Sequence, residues 1–373
     1  MIYYIFIYFF ISIKNIEIPL EIINNIPYVN INFTDSFNDE EILNFVLETS
    51  ISKTLINNIN NEFFEKIINS SNYCNDTPSF GTLYGTFDIS LYSNENNFII
   101  NDNDNDKIVQ NFNFNNFSND SIPYEFILGL SYESEFMNNL KENNIINDKT
   151  ICINTKNNLL KFESCSNELK KYKFEFEQKD DHIKIKDFIY IEINNNKITY
   201  TNNYALLSTS TYNIEIPKEV YEKYLNNSLN LNNDNCIDIE NIKIDKIILN
   251  IDKYNIEFKK NELYYFDEEK KCNRSLFTYN KYTNLYRFGY GFIKKFDEFE
   301  INYDKKNIII FSDKNISKIH DYSITFIISI LAIFLVFFII LFYLCLLQKC
   351  KKNNNIENIE DLPLETSINS LNN

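Results

Sequence analysis

The stretches NFVLETSISKTLI (Asn44 to Ile56) and NYALLSTSTYNIEIP (Asn203 to Pro217) echo each other. In each, a hydrophobic strand runs into a three-residue element with a central threonine, Thr49 or Thr209, and then into further hydrophobic residues. Each is followed some 80 residues later by two larger residues and a glycine: Ile127-Leu128-Gly129, then Arg287-Phe288-Gly289 as a weaker second copy. A repeat at that separation implies two lobes built alike.

Around these anchors the chain reads mostly as short runs that alternate apolar and polar residues. YKFEFEQ (Tyr172 to Gln178), IKIKDFIYIEI (Ile183 to Ile193) and FEINYDKKNIIIF (Phe299 to Phe311) are strand signals, because successive side chains of a strand face opposite sides. Helical stretches are few: EFMNNLKENNII (Glu135 to Ile146) and PKEVYEKYLNN (Pro217 to Asn227), with Pro217 in the first-turn position proline favours. The Asn/Asp-rich run from Asn94 to Asp120 has few anchoring apolar residues and is expected to be an extended surface loop. FGYGF, Phe288 to Phe292, offers two glycines with no helix start after it, so it is not a phosphate loop.

The chain has 373 residues, 33 Phe and 26 Tyr, enough apolar material for one large domain or two lobes. A net charge of -16 argues against nucleic acid as a partner, since phosphate binding draws on clustered Lys and Arg. Two isolated histidines, His182 and His320, are too few for a His-based metal site or a Ser/His/Asp constellation. No metal site and no cofactor is expected.

From Ile324 to Leu347 the chain is an uncharged apolar run, longer than the roughly 20 residues that cross a bilayer. A buried soluble helix of that length would normally carry a polar stripe, which this one lacks. One transmembrane helix is expected over residues 322–347. Asp321 precedes it and Lys349, Lys351 and Lys352 follow, so the tail 348–373 is expected in the cytoplasm and the ectodomain outside or in a lumen. Ile2 to Ile13 resembles the apolar core of a signal peptide, assigned to about residues 1–18, though without a basic start; as an uncleaved anchor its twelve residues are too few.

Export agrees with glycosylation sequons at Asn32, Asn69, Asn75, Asn116, Asn119, Asn226, Asn273 and Asn315, many of them products of an Asn-rich composition. Five cysteines precede the apolar run: Cys74, Cys152, Cys165, Cys236 and Cys272. An oxidising compartment makes pairing the default, with several connectivities open and one thiol left over. Cys345 and Cys350 flank the inner membrane face and are palmitoylation candidates.

The paired elements resemble the pepsin-like aspartic protease family, in which each lobe contributes hydrophobic-hydrophobic-Asp-Thr-Gly and a later hydrophobic-hydrophobic-Gly crosses behind it. FILGLSYES (Phe126 to Ser134), ALLSTSTYNIEIPKEVYEKY (Ala205 to Tyr224) and FGYGFIKKFDEFEINYDKKNIIIF (Phe288 to Phe311) are similar to further family segments. The resemblance implies a mostly β, bilobal pepsin-like fold with a cleft between an N-terminal lobe, 26–150, and a C-terminal lobe, 151–318. It places Cys236 and Cys272 where the family has a C-lobe disulfide, and leaves Cys152 and Cys165 as a second candidate pair, with no partner assigned to Cys74. By loop-closure entropy a bridge such as Cys236–Cys272 contributes about 3–4 kcal/mol.

The resemblance also locates a loss. Family members hold a water between two aspartates that share a proton, one acting as base and the other as acid. The matching positions here are Glu48 and Ser208, so one carboxylate is longer by a methylene and the other is missing. The glycines after the threonines are replaced by Ser50 and Ser210, whereas Thr49 and Thr209, structural in the family, are kept. The flap tyrosine position is Phe80, with the Gly-rich flap shortened, and there is little room for a pro-segment before a first strand at Tyr28. Asp76-Thr77-Pro78 is a textual alternative, but it sits in a sequon, has proline in place of glycine and has no strand leading into it.

The expected function is therefore a catalytically inactive, aspartic-protease-like membrane protein that binds peptide or protein. The alternatives are an active aspartic-type endopeptidase with an atypical site, and a surface adhesion or structural protein that uses an exposed face or the Asn-rich run. Glu48 reads as a surviving acid that is merely solvated or is hydrogen-bonded to Thr209 or Ser208, in preference to a residual catalyst.

Overall fold

The strand Glu40–Glu48 lies parallel to Phe126–Gly129, with Leu128 opposite Leu47 and Gly129 opposite Glu48. On its other edge Phe126–Gly129 is antiparallel to Leu55–Asn57, so a later segment is inserted between the two arms of the first loop. The second copy repeats this. Tyr286–Phe288 is parallel to Tyr204–Leu207, with Phe288 opposite Leu207, and antiparallel to Ile214–Ile216. All four residues of Phe126–Gly129 are buried, which is why that segment reads as a continuous apolar run and not as an alternating one; all three of Tyr286–Phe288 are buried too, with Arg287 paired to Glu215 at 3.3 Å.

This computed structural model describes residues 17–34, 40–57, 72–82, 85–93, 98–102, 105–109, 113–117, 124, 126–165, 169–179, 182–199, 204–229, 236–279, 285–312, 316–318 and 331–346. Residues 1–318 and 319–373 are two separate compact units. The apolar block Ile2 to Ile13, His320, Cys350, the tail 348–373 and the sequons Asn69, Asn119 and Asn315 lie outside the described residues.

The first unit is mostly β. Six strands form a shared antiparallel sheet in the order Lys171–Lys179, Asn307–Phe311, Glu298–Asn302, Thr150–Asn154, Leu159–Lys161, Glu17–Ile23. A second sheet holds Asn196–Ile198, Phe188–Ile193, Lys246–Ile251, Tyr254–Lys259 and Ser317–Lys318. One main hydrophobic core runs beneath both.

The alternating runs become strands, with two of them divided. IKIKDFIYIEI splits at Asp187, whose φ of 56° breaks the extended backbone, and FEINYDKKNIIIF folds back as a hairpin, Ile301 opposite Ile308. The helix predicted from Glu135 is capped by Ser134, whose Oγ accepts from Met137 N, and ends at Glu142. Pro217 is the cap of its helix and not its first residue; Lys218–Val220, a π-turn at Tyr221–Leu225 and Asn226–Leu229 follow. The disulfides are Cys152–Cys165 and Cys236–Cys272, with Cα separations of 5.3 and 5.8 Å.

Several expectations are corrected. The run Asn94 to Asp120 is not an extended loop: it contains strands Phe98–Asp102, Asn105–Val109 and Asn113–Phe117, the last parallel to Leu55–Asn57 and antiparallel to Gly85–Ser93. Three-residue apolar groups such as Phe98-Ile99-Ile100 suffice once neighbouring strands supply partners. Around Phe80, the strands Asn72–Thr82 and Gly85–Ser93 pair antiparallel, with Phe80 opposite Phe87. Asp76 lies inside that first strand, contrary to the expectation that no strand leads to it.

The first strand begins at Glu17, not Tyr28, and so overlaps the segment assigned to a signal peptide. FGYGF itself contains a helix start, the turn Tyr290–Ile293 capped by Gly289, contrary to the expectation of none. Among the described residues no helix is long and apolar enough to cross a membrane, so the transmembrane helix expected over 322–347 is not found there. Residues 331–346 form a helix with every side chain exposed.

Candidate functional site

The turn after Glu40–Glu48 and the turn after Tyr204–Leu207 meet face to face, and all six residues Glu48, Thr49, Ser50, Ser208, Thr209 and Ser210 are buried. Crossing strands hold both turns in place: Leu130 N donates to Glu48 O at 2.8 Å and Ser208 N to Phe288 O at 3.0 Å. The glycines behind them are required by close approach. A Cβ on Gly129 would stand 2.4 Å from Lys53 O, and one on Gly289 would stand 2.4 Å from Asn213 O and 2.5 Å from Thr211 O.

Glu48 is fully buried, and its carboxylate accepts three hydrogen bonds. Ser50 N donates to Oε1 at 2.8 Å, Ser208 Oγ donates to Oε2 at 2.8 Å, and Ser210 Oγ donates to the same Oε2. Two of the three donors, Ser208 and Ser210, belong to the second turn. The extra methylene of Glu48, relative to aspartate, carries the carboxylate across to the serines that stand where a second acid and a glycine were expected. A buried carboxylate without partners would carry a large desolvation penalty, and these donors offset it.

The threonines bridge the two turns on one side only. Thr209 Oγ1 donates to Leu47 O at 2.7 Å and accepts from Thr49 N at 3.2 Å. Thr49 Oγ1, fully buried, has no hydrogen-bond partner among the described residues, and neither has Ser50 Oγ.

Two tyrosines absent from the sequence reading complete the site. Tyr124 OH donates to Ser210 O at 2.6 Å. Its pKa is pushed well above the usual phenol range by burial first, then by neighbouring Tyr28 and the Glu48 charge. Tyr303 OH donates to Leu130 O, and burial, followed by the Glu48 charge, likewise raises its pKa. Both therefore act as neutral donors at ordinary pH. Nothing local in Ile122-Pro123-Tyr124 or Asn302-Tyr303-Asp304 marks them out, because tyrosines are spread along the whole chain.

Phe80 is placed on the hairpin strand Asn72–Thr82. Among the described residues, the one cluster of suitable metal-ligating atoms is Cys152, Cys165 and Glu298, and both of its sulfurs are joined in a disulfide. Two open cavities, of about 660 and 480 Å³, lie around Glu257, Lys259 and Asn261 and are lined by none of the six turn residues.

No family model matches the chain, and no curated protein matches it in sequence. Among solved structures it is similar to the crystal structure of basic 7S globulin from soybean, with a TM-score of 0.56 and 10% sequence identity over 80% of this chain and 97% of that chain. That likeness, together with the paired crossing-strand loops, shows a mostly β, pepsin-like fold.

Proposed function

We propose that this chain is a catalytically inactive, aspartic-protease-like protein, held on a membrane by the apolar segment Ile324 to Leu347, that binds an extended peptide or protein segment between its lobes. The observation that carries the reading is the bonding of Glu48. A general base must be free to take a proton from a water, and its partner must be able to give one. Both Glu48 oxygens already accept hydrogen bonds from the protein, and the opposing residue is a serine, whose hydroxyl cannot serve as the second acid.

The scaffold that remains suits binding. The hairpin Asn72–Thr82 and Gly85–Ser93 is a part against which an extended chain can be held by backbone hydrogen bonds. Support for membrane attachment is the uncharged run itself and the exposure of every side chain along residues 331–346, an apolar surface that water does not favour. Because the strand starting at Glu17 is part of the fold, cleavage of any leader belongs upstream of it.

One experiment tests both parts. The full chain is reconstituted with phosphatidylcholine liposomes, floated, and exposed to an unstructured peptide carrying a photoactivatable phenylalanine. Flotation with the liposomes and cross-links concentrated in residues 72–93 and 211–213, at the rim of the buried turns, are expected. Failure to float removes the membrane assignment, and cross-links confined to distant surfaces such as 246–262 remove the cleft.

A further inference from the structure

The two lobes are joined beside Glu48 by more than the buried turns. Asn24 and Asn25 form the tight turn between strands Glu17–Ile23 and Ile26–Thr34, both with left-handed φ of 51° and 66°. Asn24 Nδ2 donates to Glu269 Oε1 at 2.6 Å, and Asn25 Nδ2 donates to Phe266 O at 3.2 Å, each reaching more than 240 residues along the chain. Glu269 and Phe266 belong to the hairpin Tyr264–Asp267 and Cys272–Ser275, which the Cys236–Cys272 disulfide ties down.

A row of tyrosines continues inward from this contact. The rings of Tyr28 and Tyr124 meet edge to face at 6.3 Å, and Tyr124 OH reaches Ser210 O. From the other lobe, Tyr212 meets Tyr265 edge to face at 4.5 Å, and Tyr265 OH donates to Asn213 Oδ1 at 3.3 Å. Tyr28, Tyr124 and Tyr212 all pack on one small cluster, Ile26, Val46, Ile51, Leu55 and Ile127. Burial, then Tyr265, pushes the Tyr212 hydroxyl up to about 12, so it stays neutral and able to pack.

We infer that these side chains form a strap across one flank of the cleft, from Glu269 through Asn24, Asn25, Tyr28 and Tyr124 to Ser210, so that a ligand gains that flank only by displacing the chain's own groups. The outer contacts are exposed hydrogen bonds, individually weak and therefore displaceable, whereas the inner tyrosines are at least partly buried. The strap deepens the proposed peptide-binding reading and rests on it for its purpose, but not for its existence.

Hydrogen exchange on the full chain in detergent tests the strap without any ligand. Asn24→Gly/Asn25→Gly removes both side chains while keeping residues that accept a left-handed backbone. In that variant, amides in residues 44–52 and 204–213 are expected to exchange about 5–10-fold faster, a change set by a lower opening cost, with residues 246–259 unchanged. Asn24→Asp, which removes the donor and sets a second carboxylate against Glu269, is expected to do the same, more strongly at low salt than at 1 M salt, where the repulsion is screened but the hydrogen bond stays lost. Wild-type exchange in both variants would overturn the strap. Fluorescein-labelled oxidised insulin B chain then separates the two ideas: tighter binding to the variants supports both, while faster exchange with no binding to any form keeps the strap and sinks peptide binding.

Discussion

Replacing Glu48 by alanine is expected to lower the stability of the folded unit by about 3–5 kcal/mol, the usual cost of removing one partner from a buried charged network. The reason is the donors left behind. Ser50 N–H, Ser208 Oγ and Ser210 Oγ all point at the carboxylate, and each is buried, so each loses its acceptor at once. A hydroxyl can turn towards another acceptor but the Ser50 amide cannot, which keeps the loss below the sum of three separate costs. Glu48→Gln keeps the volume and one strong acceptor and is expected to cost about 1–2 kcal/mol. Urea unfolding reads the difference as a shift in midpoint at unchanged slope. A solvated acid, or one kept only for proton transfer, would tolerate both changes within about 0.5 kcal/mol.

Gly289→Ala is expected to be at least as damaging, by about 3–5 kcal/mol from steric conflict with backbone and the hydrogen bonds it displaces. The carbonyls that its Cβ would strike, Asn213 O and Thr211 O, are the acceptors for Gly289 N at 3.1 Å and Tyr290 N at 2.6 Å. Neither can retreat without breaking the contact that holds the second crossing strand. Loss on that scale is a large part of an ordinary domain's stability, so near-ultraviolet circular dichroism should show lost tertiary packing at temperatures where the wild type is folded.

The paired crossing-strand loops were legible because both copies carry the same local pattern. Period-two alternation marked strands such as Lys171–Lys179, and the threonine-centred turns with a later glycine marked the crossings. Close approach at Gly129 and Gly289 leaves no choice of residue, which is why the glycines persist in a chain that has only five. The placement of Glu48 opposite Ser208 followed from the same echo.

The rest was hidden for different reasons. The strands Phe98–Asp102, Asn105–Val109 and Asn113–Phe117 draw on long-range partners, and their short apolar groups are diluted by Asn and Asp. Glu17–Ile23 was hidden by the apolar block before it. Tyr28, Tyr124 and Tyr303 gain their roles from what lies across the fold from them, so no spacing in the sequence could single them out. The one-sided threonine bridge is a matter of side-chain geometry in two buried turns, below the resolution of any sequence pattern.

The most direct measurement is the fate of a peptide. The full chain in detergent micelles is incubated with denatured, fluorescently labelled casein across pH 3 to 7, beside Glu48→Gln, and products are followed by mass spectrometry. An acceptor-saturated Glu48 facing Ser208 predicts intact substrate with both proteins at every pH. Cleavage at acid pH that disappears in Glu48→Gln while the fold is retained would contradict it, and would return Glu48 to the role of a working acid.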